Sequence, residues 1–418
     1  MRVFYLVHQY PPEHVGGTEL YTRSLARELS QRGHQITVFH RRNVVGVGQK
    51  VWSDEGVRVW SAWAGALNPT RCFLATFGEP ALERALERAL DESQPDLVHV
   101  QHLMGLPVTL LRMIRRRGIP FVITLHDFWW VCANAQLLTN DRNQVCAGPR
   151  AYVNCTRCAL ARSGQARFLP ALPAIAGLLA WRNHLLRQGL SSAEVLLSPT
   201  EFVSHWYAAH GTPKAKLAVM PLGVDRHMPI PLLEPRPEGP MRFVYIGGIA
   251  PQKGVHVIVE AFRELRGDTE LWIAGDEAFD PAYTQQLRSR ASPRVCFLGK
   301  LDRAEVWRTL KSADAAVIPS LWYETFSLIA HEAFAAGVPV LASRLGALAE
   351  VVKDGLDGLL IPPGDVSAWR TALQSLIDDP GRLAFLRAQV RPPLTVEQHA
   401  SQIEALYGQL LNARSPRP

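Results

Sequence analysis

The stretch ADAAVIPSLWYETFSLIAHEAFAAGVPVLAS, residues 313–343, carries the fold in miniature. It opens with a short run apolar on both faces, the pattern of a strand buried in a parallel sheet. LWYETFS then reads as a loop, LIAHEAFAAG as a helix stopped by Gly337, and VPVLAS as the next strand. Such a unit sets its loop at the carboxyl edge of the sheet, where open α/β folds bind ligands. Glu324 lies on that loop, and Glu332 is expected about two turns into the helix, on a path toward the same edge. A lone carboxylate in so apolar a setting costs several kcal/mol, so each acid needs hydroxyl donors, amide donors or water. Sugar and ribose hydroxyls are suitable donors. Helix capping or an interdomain ion pair is the other reading of each acid.

The same alternation runs outward in both directions. RVFYLVH, QITVFH, DLVHVQH, PFVITLH and EVLLSP precede it, followed by MRFVYIGG, TELWIAGD and RVCFLGK, with helix-length segments such as ELYTRSLARELSQRG between them. This is an α/β fold with a doubly wound parallel sheet, twice over. A chain of 418 residues exceeds what one core supports, so two domains are expected. The series breaks in DRHMPIPLLEPRPEGPM, residues 225–241, with five prolines. The expected division is a first domain over 1–225, a linker over 226–240, a second domain over 241–392 and a C-terminal helix over 393–418, with a cleft between the two domains.

Composition narrows the partners. Hydrophobic content of 47% and charged content of 20% describe an ordinary globular protein. The net charge of +7 favours an anionic partner. Only seven of the 45 basic residues are lysine, and the arginines are scattered among acids, as in ALERALERALDE. No basic tract interleaved with aromatics occurs, which argues against nucleic acid. The first apolar run is too short for a secretory signal and no eighteen-residue apolar stretch follows, so a cytoplasmic location is expected.

Two glycine pairs follow first strands. Gly16 and Gly17 precede a helix that Thr18 is placed to cap, and Gly247 and Gly248 precede a loop bearing Lys253 and then a helix. Glycines there let backbone amides approach an anion, and a lysine holds a diphosphate as a point charge. A structural turn and a surface lysine are the competing readings.

In register, these segments resemble the retaining, nucleotide-sugar-dependent glycosyltransferases of the GT-B fold, family four. The resemblance rests on PPEHVGGTELYTRSLARELSQRGHQITVF, on LHD at 125–127, on GGIAPQKG at 247–254 and on the Glu-x7-Glu signature at 324 and 332. It implies two Rossmann-like domains facing across a cleft, the first on the acceptor side and the second binding the nucleotide sugar. By the same resemblance, Glu332 accepts the ribose hydroxyls and Glu324 lies beside the donor-sugar hydroxyls. The backbone of Phe326, Ser327 and Leu328, with Lys253, holds the diphosphate. His126 lies close to the transferred sugar, although a core histidine at a strand end is the alternative. Gly17 belongs to the glycine loop by the diphosphate and acceptor, and RVCFLG lines the base. The tail crosses back onto the first domain.

Three positions depart from the family's pattern. Gly248 stands where the phosphate clamp usually has arginine, which leaves Arg344 as a candidate for the missing charge. Ser327 stands where glycine is usual, and Gly346-Ala347 replaces a glycine pair.

After LHDFWW comes an insert, about 128–190. Its cysteines Cys132, Cys146, Cys155 and Cys158 have a closing Cys-x2-Cys and suit a structural zinc site or an iron–sulfur cluster, against free buried thiols. Trp129 and Trp130 suit either sugar stacking or core. ARFLPALPAIAGLLAWRNHLLRQGL, too short to span a bilayer and flanked by arginine, suits a helix on an anionic membrane or one covering the first domain.

The expected activity is transfer of a sugar from a nucleoside diphosphate to a hydroxyl of a glycan or polyprenyl-linked acceptor, in cell-surface polysaccharide assembly on the inner face of the membrane. No Asp-x-Asp pair suits a catalytic metal, so none is expected. A sugar-nucleotide hydrolase or epimerase, or a non-catalytic sugar-nucleotide binder, are the alternatives.

Overall fold

The computed structural model describes residues 1–162, 164, 172–225 and 239–413. Most of the proline-rich segment expected as a linker, and the start of the apolar helix-forming stretch, lie outside the described residues. The chain divides into two compact units, Met1–Asp225 with Thr395–Pro418, and Arg226–Leu394.

The first unit begins with β1 (Arg2–Val7), α1 (Gly17–Gln31), β2 (Gln35–Arg41), β3 (Val47–Asp54), β4 (Val57–Ala64), α2 (Pro69–Leu74) and α3 (Pro80–Ser93). It continues with β5 (Leu97–Val100), α4 (Thr109–Arg116), β6 (Phe121–Thr124), α5 (Val153–Arg162), α6 (Leu172–Ser192), β7 (Leu196–Ser198), α7 (Glu201–Ala209) and β8 (Leu217–Val219). The strand order is β3-β4-β2-β1-β5-β6-β7-β8, parallel except where β3 runs back along β4. Phe4, Tyr5, Leu6 and Val7 have no exposed surface, because helices cover both faces of the central strand.

The β3–β4 hairpin was not foreseen. Its turn, Glu55-Gly56, has both residues at positive φ (50° and 88°), the geometry of a tight hairpin whose strands follow the sheet's right-handed twist. Reading every apolar run as a parallel strand hides such a pair, although Asp54-Glu55-Gly56 was a visible turn signal.

The second unit runs β9 (Met241–Ile246), α8 (Val255–Phe262), β10 (Thr269–Ala274), α9 (Pro281–Arg290), β11 (Val295–Gly299), α10 (Arg303–Lys311) and β12 (Ala315–Ile318). After these come α11 (Leu328–Ala335), β13 (Val340–Ser343), α12 (Leu348–Val351), β14 (Gly358–Ile361), α13 (Val366–Asp378) and α14 (Pro380–Gln389). Its parallel sheet has the order β11-β10-β9-β12-β13-β14. Phe243, Ile258, Phe262, Ile273, Val317 and Trp369 form its buried centre. The order reverses between β9 and β12, which opens a crevice at their carboxyl ends.

The last helix, α15 (Val396–Asn412), belongs to the first unit. Thr395 and Gln398 close a capping box at its start. Tyr407 then meets the hydroxyl of Tyr5 (3.0 Å) and Nδ1 of His99 (2.5 Å), and His399 meets Tyr21 (2.7 Å).

The insert is core on its inner side. Trp129 and Trp130 are buried, and α6 sends Arg182 over the Trp129 ring (4.7 Å) while donating to its carbonyl (2.9 Å). Among the described residues no three His, Cys, Asp or Glu side chains are gathered to hold a metal, and all six cysteines are free thiols. Amide donors meet two of the sulfurs. Asn140 donates to Cys158 through its backbone and side-chain nitrogens (3.3 and 3.1 Å), and Gly148 N–H donates to Cys146 (3.4 Å). Burial, with the neighbouring cysteines adding to it, pushes the Cys155 thiol up to about 12.

Candidate functional site

The β9 and β12 loops of the second unit are stitched together. The backbone N–H of Leu321 donates to the Gln252 carbonyl (2.8 Å). A Cβ on Gly254, at φ 71°, would lie 1.9 Å from the Pro319 carbonyl oxygen, so only glycine lets the two turns touch. This approach brings Lys253 to Glu324, whose Oε1 accepts from Nζ at 2.8 Å. The same oxygen accepts from Ser320 Oγ (2.8 Å) and Trp322 Nε1 (2.9 Å). Burial alone would raise the pKa of Glu324, but Lys253 and these hydrogen bonds outweigh it and hold the carboxyl below the usual carboxylate range. Glu324 is therefore an anion at neutral pH, and Ser320 and Trp322 are partners of it that the sequence does not reveal.

Phe326, Ser327 and Leu328 lie where α11 begins. The first N–H groups of a helix lack intrahelical acceptors and carry the positive end of its dipole. Ser327 is the N-cap residue at φ 62°, which explains why glycine is the easier occupant. Phe326 stacks on His331 (3.8 Å between centroids, 9° between planes), and burial lowers the His331 pKa to about 4.

Glu332 is the fifth residue of α11, little more than one turn from its start rather than two. It is buried and accepts from Arg303 NH2 at 2.7 Å. Arg303 was not singled out from sequence; its place at the start of α10, just past a strand end, was the available signal.

Arg344 does not supply the missing clamp charge within this group. Its NH2 donates to Asp354 (2.5 Å) and to the Leu360 carbonyl (3.1 Å), bracing the edge strand β14. Gly248 has open space where a Cβ would project. Ala347 sits at φ −63°, a conformation that makes no demand for glycine, and its N–H donates to the Glu324 carbonyl (3.1 Å).

In the first unit, the corresponding sheet edge gathers the ends of β1, β5 and β6. His126 is buried and its Nε2 meets Gln101 Oε1 at 2.7 Å. Burial, aided by His102, drives the His126 pKa down to about 3, so it is a neutral imidazole and not a phosphate-pairing cation. His102 Nδ1 accepts from the Met104 N–H, which puts the proton on Nε2 and directs it to Asp127 (3.0 and 3.1 Å). Burial opposes ionisation of Asp127, but His102 and the Trp129 N–H prevail and lower its pKa. His8 meets Glu19 at 3.1 Å. Sequence had marked only His126 here; His102 and Asp127 were legible as strand-end polar residues in VHVQH and LHD.

Gly17 is the first residue of α1, with Gly16 rather than Thr18 at the N-cap. A Cβ on Gly17 would meet nothing within 4 Å, so that turn is open on its outer side.

Two family models match, "Glycosyl transferases group 1" over residues 240–379 and "Glycosyltransferase Family 4" over residues 15–227. A glycogen synthase of Mycobacterium tuberculosis is 29% identical over 409 residues, covering 94% of this chain and 90% of that protein. A D-inositol 3-phosphate glycosyltransferase of Arthrobacter is 28% identical over 419 residues, covering 92% and 90%. Among solved structures, sucrose-phosphate synthase from Thermosynechococcus elongatus has a TM-score of 0.73 at 20% identity, covering 98% of this chain and 99% of its own. Anabaena Alr3699/HepE, in complex with UDP and glucose, has a TM-score of 0.63 at 17% identity and full coverage of both chains. These likenesses agree with the GT-B arrangement of two parallel-sheet domains.

Proposed function

We propose that this chain, which belongs to the group 1, family 4 glycosyltransferases, moves a sugar from a nucleoside diphosphate to a hydroxyl of a glycan or lipid-linked acceptor, retaining configuration and using no catalytic metal. The observation that carries this reading is the Lys253–Glu324 pair at the switch point of the second sheet, on the loop that leads into α11. An ionised carboxylate suits sugar hydroxyls, and a lysine with free helix amides suits a diphosphate. Cleaving the sugar–phosphate bond builds negative charge on the departing diphosphate, and fixed cations and dipoles aimed there lower the barrier. Lys253 and the α11 amides of Phe326, Ser327 and Leu328 take that part, with Gly248 beside them. Glu332 takes the ribose hydroxyls.

In this reading the second domain, 241–392, is the donor half. The first, 1–225 with the 393–418 tail, is the acceptor half, contributing His126 and the Gly17 turn. The UDP and glucose of the Anabaena structure and the glycosyltransferase names of the relatives favour a sugar nucleotide as co-substrate.

The acceptor reading extends to an anionic membrane. No helix among the described residues is long and apolar enough to cross one. On the first unit, α4 exposes Arg112, Arg115 and Arg116, the first two lining a groove of about 690 Å³ against α6, and α6 exposes Leu178, Trp181 and Arg187. Basic side chains with an exposed tryptophan suit an anionic lipid surface and a role in cell-surface polysaccharide assembly.

The decisive experiment adds a panel of labelled sugar nucleotides with candidate glycan and polyprenyl acceptors. Transfer supports the proposal, free or isomerised sugar would replace it with a hydrolase or epimerase, and binding without conversion would leave a sensor. Sedimentation with anionic but not neutral vesicles tests the membrane contact separately.

A further inference from the structure

One indole touches both charged groups of the donor site. Trp322 Nε1 donates to Glu324 Oε1 at 2.9 Å, and the Lys253 ammonium lies 4.7 Å from the centroid of the Trp322 ring. The three donors to Glu324 all meet Oε1, and among the described residues none meets Oε2, whose acceptor capacity is left open. The backbone of the loop is held as well, since the Glu324 carbonyl accepts from Ala347 and the Leu321 N–H donates to Gln252.

The geometry points to Trp322 as the positioning residue that couples sugar recognition to diphosphate recognition. Its N–H orients the Glu324 carboxylate so that Oε2 faces the donor sugar's hydroxyls, and its ring face steadies Lys253 for the phosphates. This inference rests on the donor-site reading above. The two contacts separate by chemistry. Phenylalanine keeps an aromatic face for the ammonium and removes the N–H, whereas alanine removes both.

The test measures Kd by calorimetry for UDP, ADP and GDP and for their glucose conjugates, on the full chain and on Trp322→Phe, Trp322→Ala and Ser320→Ala. For the base that binds the wild type, Trp322→Phe should leave the bare diphosphate within about twofold and weaken the sugar nucleotide by about tenfold, the loss of one hydrogen bond that fixes a charged group. Trp322→Ala should weaken the bare diphosphate too, by about fivefold, as the cation–π contact goes. Ser320→Ala leaves the lysine contact in place and should shift only the sugar nucleotide, and it carries the test if a tryptophan variant does not fold. A purely structural tryptophan would shift both ligands by the same factor in Trp322→Phe, and that result, or no shift in either, overturns the inference while leaving the donor site standing. A wild-type chain that binds none of the six ligands overturns the donor-site reading, and this inference with it.

Discussion

Lys253→Met removes the cation from Glu324 and keeps most of the side chain's length, so its effect reads the electrostatics of the site. The Glu324 side chain is 12% exposed and that of Lys253 27%. Removing one partner of a fully buried pair costs about 3–5 kcal/mol, and an exposed pair contributes about 0–1 kcal/mol. Discounted for the lysine's exposure, and with Ser320 and Trp322 still donating to Oε1, the expected loss is about 2 kcal/mol at neutral pH. The sign of its pH dependence follows from the depressed Glu324 pKa. In the wild type this carboxylate contributes stability above its unfolded pKa, lost as pH falls through the folded value. Without Lys253 the desolvation of the carboxylate dominates, its pKa rises, and protonation at lower pH relieves the cost. The gap between variant and wild type should therefore narrow from pH 7 toward pH 5. Adding Glu324→Gln should recover about half of the loss, because the uncompensated charge goes. Urea titration followed by hydrogen exchange of amides in α8 and β12 reads the second unit without assuming that both units unfold together. If Lys253→Met were as stable as the wild type at pH 7, or the double variant no better than the single, the two charges would not be energetically coupled and the site reading would fail.

Ser327→Gly should raise the stability of the second unit by about 0.5–1 kcal/mol, because serine at φ 62° is strained and glycine is not; an unchanged or lower melting temperature contradicts this. Gly248→Arg, placed where a side chain meets open space, should tighten nucleoside diphosphate binding by about tenfold, as measured by calorimetry. No gain would mean that this position does not face the phosphates. In the first unit, burial lowers the pKa of His8, His40, His99, His126 and His399. Each folded value lies below the unfolded one, so the unfolded state binds more protons and stability falls as pH drops below about 6.5, by up to about 1.4 kcal/mol per pH unit for each histidine. Among the described residues of the second unit, the same lowering occurs at His256 and His331. First-unit amides should thus lose exchange protection before second-unit amides between pH 7 and pH 5, and equal loss in both units would refute the argument.

The alternation of strands and helices was legible because a strand buried on both faces leaves an unbroken apolar run, and ten such runs stand out. The β3–β4 hairpin and the short strands β8 and β14 were not, since β3 is an edge strand of mixed polarity and runs of three or four apolar residues are too short to tell from loop or helix. Lys253 and Glu324 were visible as charged residues just past strand ends, 71 positions apart. Their partners Ser320 and Trp322 were invisible as such, because a hydroxyl or an indole N–H becomes a site group only once it points at something. The cysteines carry the same limit. A Cys-x2-Cys spacing suits a metal, but convergence of the ligands is a tertiary matter, and among the described residues no three candidate side chains are gathered to hold one.

The order of residues along the chain thus determined the parallel strands of the two sheets, the carboxyl edges at which ligands gather and, of the charged groups there, Lys253, Glu324 and Glu332. These are local properties of hydrophobic period and turn chemistry, which need no distant contact to be read. Which charge pairs with which was decided by tertiary structure alone. Arg344 went to Asp354, Arg303 to Glu332 and Lys253 to Glu324, because an ion pair depends on a separation of a few ångströms between side chains that the sequence places anywhere from ten to seventy-one residues apart.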